Sequence, residues 1–176
     1  MSELSISLII GIMVGIVLVV LLLKFMNKNG KAKTEYDERQ KIERGKAYTV
    51  GFYVTVLTCA VMLVLQVCEA GVEKLGMAAW FLPILAGVVA QISYSIFHDA
   101  YEGLNTNMPR FFVVMAIVGG MNLAFAIIAL ARNGFFKDGV LAPGFINLLC
   151  GILFLIMAVE LLLKHVMDQR REREDA

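Results

Sequence analysis

Apolar and polar positions alternate in long blocks along this chain. An α-helix rises about 1.5 Å per residue, so about twenty apolar residues cross the roughly 30 Å hydrocarbon core of a bilayer. The pattern therefore predicts an all-α fold, an integral membrane bundle of five transmembrane helices. The five apolar runs, which hold no acidic or basic residue except Glu160 in the last, are Leu4–Leu23, Ala47–Cys68, Met77–Phe97, Phe111–Ala131 and Leu141–Leu163.

The later runs are joined by short connections. Eight residues separate the second run from the third, thirteen the third from the fourth, and nine the fourth from the fifth. Helices joined so closely are expected to be antiparallel neighbours. We therefore expect a single membrane domain over residues 1–176. The first run lacks a basic flank before it and a small-residue cleavage site after it, so we expect it to remain as a span.

Composition agrees with a membrane protein, and the basic residues indicate its orientation. Hydrophobic residues make up 59% of the chain and charged residues 18%, against about 45–50% and about 25% in soluble domains. The net charge of +1 gives no reason to expect a nucleic-acid partner. Thirteen Lys and Arg lie in segments 24–46, 98–110 and 164–176, and three lie in the opposite connections. The positive-inside rule then places the N-terminus outside and the C-terminus in the cytoplasm.

The connection before the second run is predicted to end in a helix. Thr34 offers an N-cap oxygen, with Asp37 at the third helical position. We therefore expect a cytoplasmic helix over residues 35–46 that leads into the second span. Opposite charges at i,i+4 spacing, such as Glu35 with Arg39, are expected to pair along it.

Two further basic segments contribute to the cytoplasmic side. The tail 164–176 carries both signs of charge and is expected to continue the last helix away from the membrane. The lysines of the first loop are the expected contacts with anionic lipid, and they are Lys24, Lys28, Lys31 and Lys33.

Acidic residues follow the third span on the same side of the membrane as the basic residues that precede the second. We expect these two segments to dock through opposite charges and so to fix the order of the helices. The candidate docking residues are Asp37, Glu38, Arg39, Arg44, Lys46, His98, Asp99, Tyr101, Glu102 and Asn105.

His98 and Glu102 also suggest metal or catalytic chemistry. At i,i+4 spacing they share one face if the third helix continues, with Asp99 beside them. One imidazole and one carboxylate are too few ligands for a metal, and no nucleophile motif is present. We therefore predict no metal and no cofactor. A membrane-embedded enzyme that uses these three side chains stays as an alternative.

Few polar residues lie within the apolar runs. Gln91, Asn122 and Asn147 either bond between helices or line a small polar cavity. Glu160 is expected to pair with Lys164 one turn later. No acidic residue lies at a bilayer midplane, which argues against a proton-coupled carrier.

Small residues at i,i+4 spacing occur in two runs, as Gly11 with Gly15 and Ala116 with Gly120. Such pairs let another helix approach closely. Ordinary packing within the bundle is the expected use, and contact in a homo-oligomer is the alternative.

Two short motifs resemble signatures of a family of small, uncharacterised multi-pass membrane proteins of Gram-positive bacteria. The first runs from Tyr36 to Gln40 (YDERQ) and is followed by Arg44–Tyr48 (RGKAY), and the second is Asp99–Asn105 (DAYEGLN). The resemblance covers the chain from Tyr36 through the last run. It implies a bacterial cytoplasmic membrane and carries no established activity. Such proteins are often encoded beside small helix-turn-helix regulators, which implies a regulatory role.

These observations favour a non-enzymatic membrane protein with an interaction or regulatory role at its cytoplasmic face. The expected partners are the lipid bilayer and a cytoplasmic or membrane protein. The alternative function is a small transport or solute-binding subunit with a cavity near Gln91, Asn122 and Asn147.

Overall fold

The computed structural model describes residues 3–174, with side chains from Met13 onward except at positions 133 and 172. It is all-helical, as predicted. A short 3-10 helix (Val72–Leu75) precedes the third helix, and a two-residue antiparallel hairpin, β1 (Phe136–Lys137) and β2 (Val140–Leu141), precedes the fifth. The helices are α1 (Glu3–Met26), α2 (Glu38–Val67), α3 (Ala78–Phe97), α4 (Met108–Asn133) and α5 (Gly144–Glu174).

Within the described residues, four helices, α2 to α5, are long and apolar enough to cross a membrane. Their large apolar side chains point outward, as at Leu57, Val67 and Trp80, which are all exposed. In contrast, the buried positions are often small, including Ala47, Ala78 and Ala126. This arrangement suits lipid, because the bilayer solvates apolar surface and helices pack through small residues.

The helices pack in the order α2, α3, α5, α4, with α1 against α4. The expectation that consecutive helices are neighbours holds for α2 with α3 and for α4 with α5. It is wrong for α3 and α4, because α3 packs against α5 instead. The ten residues 98–107 that join α3 to α4 reach at most about 33–36 Å, which is enough to pass across the end of the bundle.

Glycines let neighbouring helices approach each other closely. A Cβ at Gly87 of α3 would lie 2.8 Å from the Gly51 carbonyl oxygen of α2 and against the Thr55 hydroxyl. Between α4 and α5, Gly119 faces Phe154 in the same manner, with 3.0 Å from a Cβ to the phenylalanine Cβ. These glycines have no side chain that would hold the two helix backbones apart.

The predicted small-residue motifs have a different environment. Among the side chains that the structure describes, none would lie within 4 Å of a Cβ at Gly15 or Gly120, so the predicted packing within the bundle is wrong for these two positions. The packing around Gly11 lies outside what the structure describes. The homo-oligomer alternative stays a prediction.

Gly87→Ala tests the α2–α3 contact. The added methyl group would collide with Thr55 and the Gly51 carbonyl, so we expect the free energy of unfolding in detergent to fall by about 1–3 kcal/mol. Gly120→Ala is the matched control, since its methyl group enters open space. Equal stability of the two variants would contradict the packing described above.

Candidate functional site

The first turn of α2 is held by a capping box. The Asp37 carboxylate accepts from the Gln40 backbone N–H at 2.7 Å, and Gln40 Oε1 accepts from the Asp37 N–H at 3.2 Å. The helix therefore begins at Glu38, and the prediction of a helix from residue 35 with a Thr34 cap is wrong. The cause is tertiary, because Glu35 bonds to the 98–107 loop through both its N–H and its carbonyl group. From Glu38 the helix continues without a break to Val67, as expected.

The α3 helix ends at Phe97 rather than continuing through Glu102. Asp99 has a φ of +54°, which turns the chain out of the helix. His98 and Glu102 therefore do not share a helical face, and the His98 imidazole packs against Tyr94 instead. It stacks on the Tyr94 ring with 3.8 Å between centroids, and Nδ1 donates to the Tyr94 carbonyl oxygen at 2.8 Å. Within the described part of the chain, no group of three His, Cys, Asp or Glu side chains is placed to hold a metal ion.

The N-terminal turns of α2 bind the backbone of this loop. Gln40 Nε2 donates to the carbonyl oxygens of Asp99 at 3.1 Å and Glu102 at 2.9 Å. Arg39 donates to the His98 carbonyl oxygen at 3.0 Å, and Arg44 to that of Ala100 at 3.3 Å. The predicted two segments thus meet, mainly through side-chain donors and loop carbonyl groups. We call residues 27–46, 98–107 and 164–174 together the docking face.

One predicted charge pair crosses between the segments. Arg39 lies 3.4 Å from Asp99 Oδ2, with both side chains more than half exposed. An exposed pair contributes about 0.2–1 kcal/mol, so the carbonyl bonds carry more of the contact. The predicted pairing of Glu35 with Arg39 is replaced by this contact.

The remaining predicted docking residues of α2 bond within their own helix. Glu38 pairs with Lys41 at 2.6 Å, and Lys46 pairs with Glu43 at 2.7 Å, both at i,i+3 spacing. Together with Asp37, which caps the helix, Glu38 and Lys46 support α2 rather than contact the loop.

Asn105 fastens the second half of the loop. Its side chain accepts from the Glu35 N–H at 2.8 Å and donates to the Lys33 carbonyl oxygen at 3.1 Å. Its own carbonyl oxygen accepts from the Lys28 N–H at 2.6 Å. Asn105 is 7% exposed, so these bonds are shielded from water and removing them would leave unpaired polar groups.

Lys164 is a member of the site that sequence reasoning missed. Its ammonium lies 2.7 Å from Asp99 Oδ1 and 2.9 Å from Asp168 Oδ1, and the side chain is 14% exposed. It therefore joins α5 to the loop. The expected pair of Glu160 with Lys164 is wrong, since Glu160 Oε1 accepts from the Ser93 hydroxyl at 2.6 Å. The i,i+4 spacing of Lys164 and Asp168 could have predicted the ion pair between them, but not the contact of Lys164 with Asp99.

Two tyrosines line the interior of the docking face. Arg44 Cζ lies 4.1 Å from the centroid of the Tyr36 ring, a cation–π distance. Tyr101 packs edge to face against Phe111, with 5.6 Å between ring centroids. Burial raises the pKa of the Tyr101 phenol, and it also raises the pKa of the Tyr36 phenol. Both phenols therefore stay protonated at neutral pH.

The three polar residues of the predicted cavity have separate environments. Gln91 lines a cavity of about 200 Å³ beneath the docking face. Asn122 Nδ2 donates to the Val118 carbonyl oxygen of its own helix at 2.8 Å, and Asn147 lies half-buried on α5. A shared cavity for all three stays a prediction.

Comparison with protein-family models, curated proteins and solved structures finds no significant match to this chain.

Gly103→Ala tests the fit between the loop and the connection before α2. A Cβ at this position would lie 2.9 Å from the Glu35 carbonyl oxygen and against the Thr34 methyl group. We expect a loss of about 1–3 kcal/mol in the free energy of unfolding. Gly45→Ala is the control, because it adds the same methyl group to α2 in open space, where Ala should stabilise the helix by about 0.5–1 kcal/mol. A neutral Gly103→Ala variant would argue against the docked arrangement.

Proposed function

We propose that this chain is a non-enzymatic, five-span protein of a bacterial cytoplasmic membrane whose docking face lies in the cytoplasm and binds a partner protein. The distribution of basic residues supports this orientation, since thirteen of the sixteen lie in the segments of that face or beside them. The apolar run Leu4–Leu23 within α1 supplies the fifth span.

The main support for this proposal is an open groove of about 370 Å³. The groove lies between the 98–104 loop and residues 161–168 of α5. Its walls carry both signs of charge, and Leu104 at its edge is 60% exposed. A short partner segment with one apolar side chain between polar ones would fit such a surface. The residues that line this groove include Lys28, Asp99, Glu102, Leu104, Leu161 and Asp168.

The location of the two sequence signatures favours the same role. YDERQ and DAYEGLN meet in the docking face, and their Arg39 and Asp99 side chains bond to each other. The signatures therefore build one surface. A regulatory function follows if a partner protein binds this surface only when the two signatures are in contact.

Reporter fusions test the orientation. Fusions after residues 33 and 174 should behave as cytoplasmic, and fusions within 69–76 and 134–139 as external, because the positive-inside rule assigns them so. Alkaline phosphatase and green fluorescent protein give opposite signals on the two sides. An external position for residue 33 would refute the proposed topology.

Site-specific crosslinking tests the partner. A photoreactive residue in place of Leu104 should give a discrete heterologous adduct in membranes, and the adduct should be lost in an Asp99→Arg variant. Ile42 is the matched control position, since it is 62% exposed on α2 and lies outside the groove. Equal adducts from both positions would count against the groove as the binding site, and an adduct only with a second copy of the chain would count against a partner protein.

The solute-binding alternative has one supporting observation, the cavity at Gln91. It predicts uptake or binding that responds to Gln91→Leu and leaves the Leu104 crosslink unchanged. The two functions are therefore separable in the same set of variants.

A further inference from the structure

A cavity of about 200 Å³ lies beneath the docking face, where α1 ends and α4 begins. This volume is below the roughly 300–1,000 Å³ of pockets for drug-sized ligands, so it suits a small polar group. One side of its wall is apolar and is formed by side chains of α1, α3 and α4. These are Leu23, Met26, Ile92, Met108 and Phe111.

Arg44 supplies positive charge to the lining of this cavity. Its guanidinium bonds to two neutral oxygens, the Ala100 carbonyl at 3.3 Å and the Tyr48 hydroxyl at 3.0 Å, and it lies over the Tyr36 ring. No carboxylate among residues 13–174 with described side chains is within 4.0 Å of it. A half-buried arginine without a counter-ion attracts an anion, because a charge in a low-dielectric site is stabilised by an opposite charge.

Further donors point to the same chemistry. Gln91 and Tyr101 also line the cavity, and neither side chain makes a hydrogen bond within the described part of the chain. Tyr101 sits mostly buried, and its phenol is neutral for the reason given above. Together with Arg44 these groups can surround one oxyanion.

We propose that this cavity binds a phosphate group, with Arg44 as its charged donor and Tyr101 and Gln91 as neutral donors. The apolar wall on the α1 side favours the headgroup of an anionic phospholipid over a free phosphate, because the acyl chains would continue along α1 and α4. The lipid source rests on the proposed membrane location, whereas the phosphate site does not depend on the proposed protein partner.

Glu102 provides a check on whether the bound ligand is negatively charged. This exposed carboxylate lies at the edge of the cavity and would repel a bound phosphate. Removing its charge should therefore strengthen binding, opposite to the effect of removing Arg44.

The test uses the purified full-length protein in a neutral detergent. Native mass spectrometry measures retention of phosphatidylglycerol, with diacylglycerol as the phosphate-free control, and calorimetry measures glycerol phosphate and inorganic phosphate. We expect one retained phosphatidylglycerol per chain. Arg44→Gln should weaken it about tenfold or more, Tyr101→Phe about three- to tenfold, and Glu102→Gln should strengthen it. Lys41→Gln removes one positive charge from the same helix outside the cavity and should leave it unchanged.

Each outcome decides the proposal. Displacement of the lipid by glycerol phosphate at equal affinity would support the phosphate site and assign it to a soluble ligand. Equal affinities for Arg44→Gln and Lys41→Gln, equal retention of diacylglycerol, or no binding of any phosphate compound would overturn it. If Arg44→Gln does not fold, as judged by its melting temperature, unchanged binding in both Tyr101→Phe and Glu102→Gln would overturn it instead.

Discussion

The docking face depends on carbonyl oxygens that regular structure leaves unpaired. The last turn of a helix has carbonyl groups without intrahelical partners, and the turn after it adds more. In this protein the loop that follows α3 presents such carbonyl groups to α2, and Arg39, Gln40 and Arg44 donate to them. Each of these bonds gives a backbone carbonyl group a partner that the helix itself does not supply. The start of α2 and the end of α3 therefore stabilise each other, and the loop to α4 takes its path from that contact.

Gln40 shows how one side chain joins local and tertiary structure. Its amide oxygen completes the capping box of α2, while its amide nitrogen donates to two carbonyl groups of the loop. Loss of the loop would therefore leave the amide nitrogen without its two acceptors, and loss of the cap would displace the side chain that binds the loop. Formation of the first turn and docking of the loop are thus coupled through one residue.

The amino-acid sequence was sufficient to predict that five helices form, but it was not sufficient to predict which helices pack against each other. Long apolar runs predicted five helices because length and hydropathy are local properties. The packing of α3 against α5 depends on glycine contacts such as that of Gly87, which no single run reveals. In the site, opposite charge indicated that the two segments meet, and Arg39 with Asp99 agrees with that. The role of backbone acceptors was hidden, because every residue carries a carbonyl group and only the fold selects which ones need a donor.

Lys164 could not be assigned for a related reason. It lies more than sixty residues from Asp99 in sequence, and its two carboxylate partners come from different elements. The Lys164 side chain is 14% exposed and that of Asp99 is 52% exposed, so salt should screen this ion pair less than the pair of Arg39 with Asp99, in which both side chains are more than half exposed. Asp99 receives both Lys164 and Arg39, so α5 and α2 are connected through a single carboxylate at the turn that ends α3.

The groove and the phosphate cavity lie on two sides of one short segment. Tyr101, Glu102 and Met108 line both spaces. A ligand that draws Tyr101 toward the cavity alters the wall of the groove, and a partner that holds Glu102 in the groove removes a negative charge from the cavity edge. Any coupling between the two sites must be reciprocal, since the change in affinity is the same in both directions. The coupling free energy between the two sites depends on how firmly Gln40 and Asn105 hold the loop in its docked conformation. A firmly held loop passes a displacement from one site to the other, whereas a loosely held loop does not.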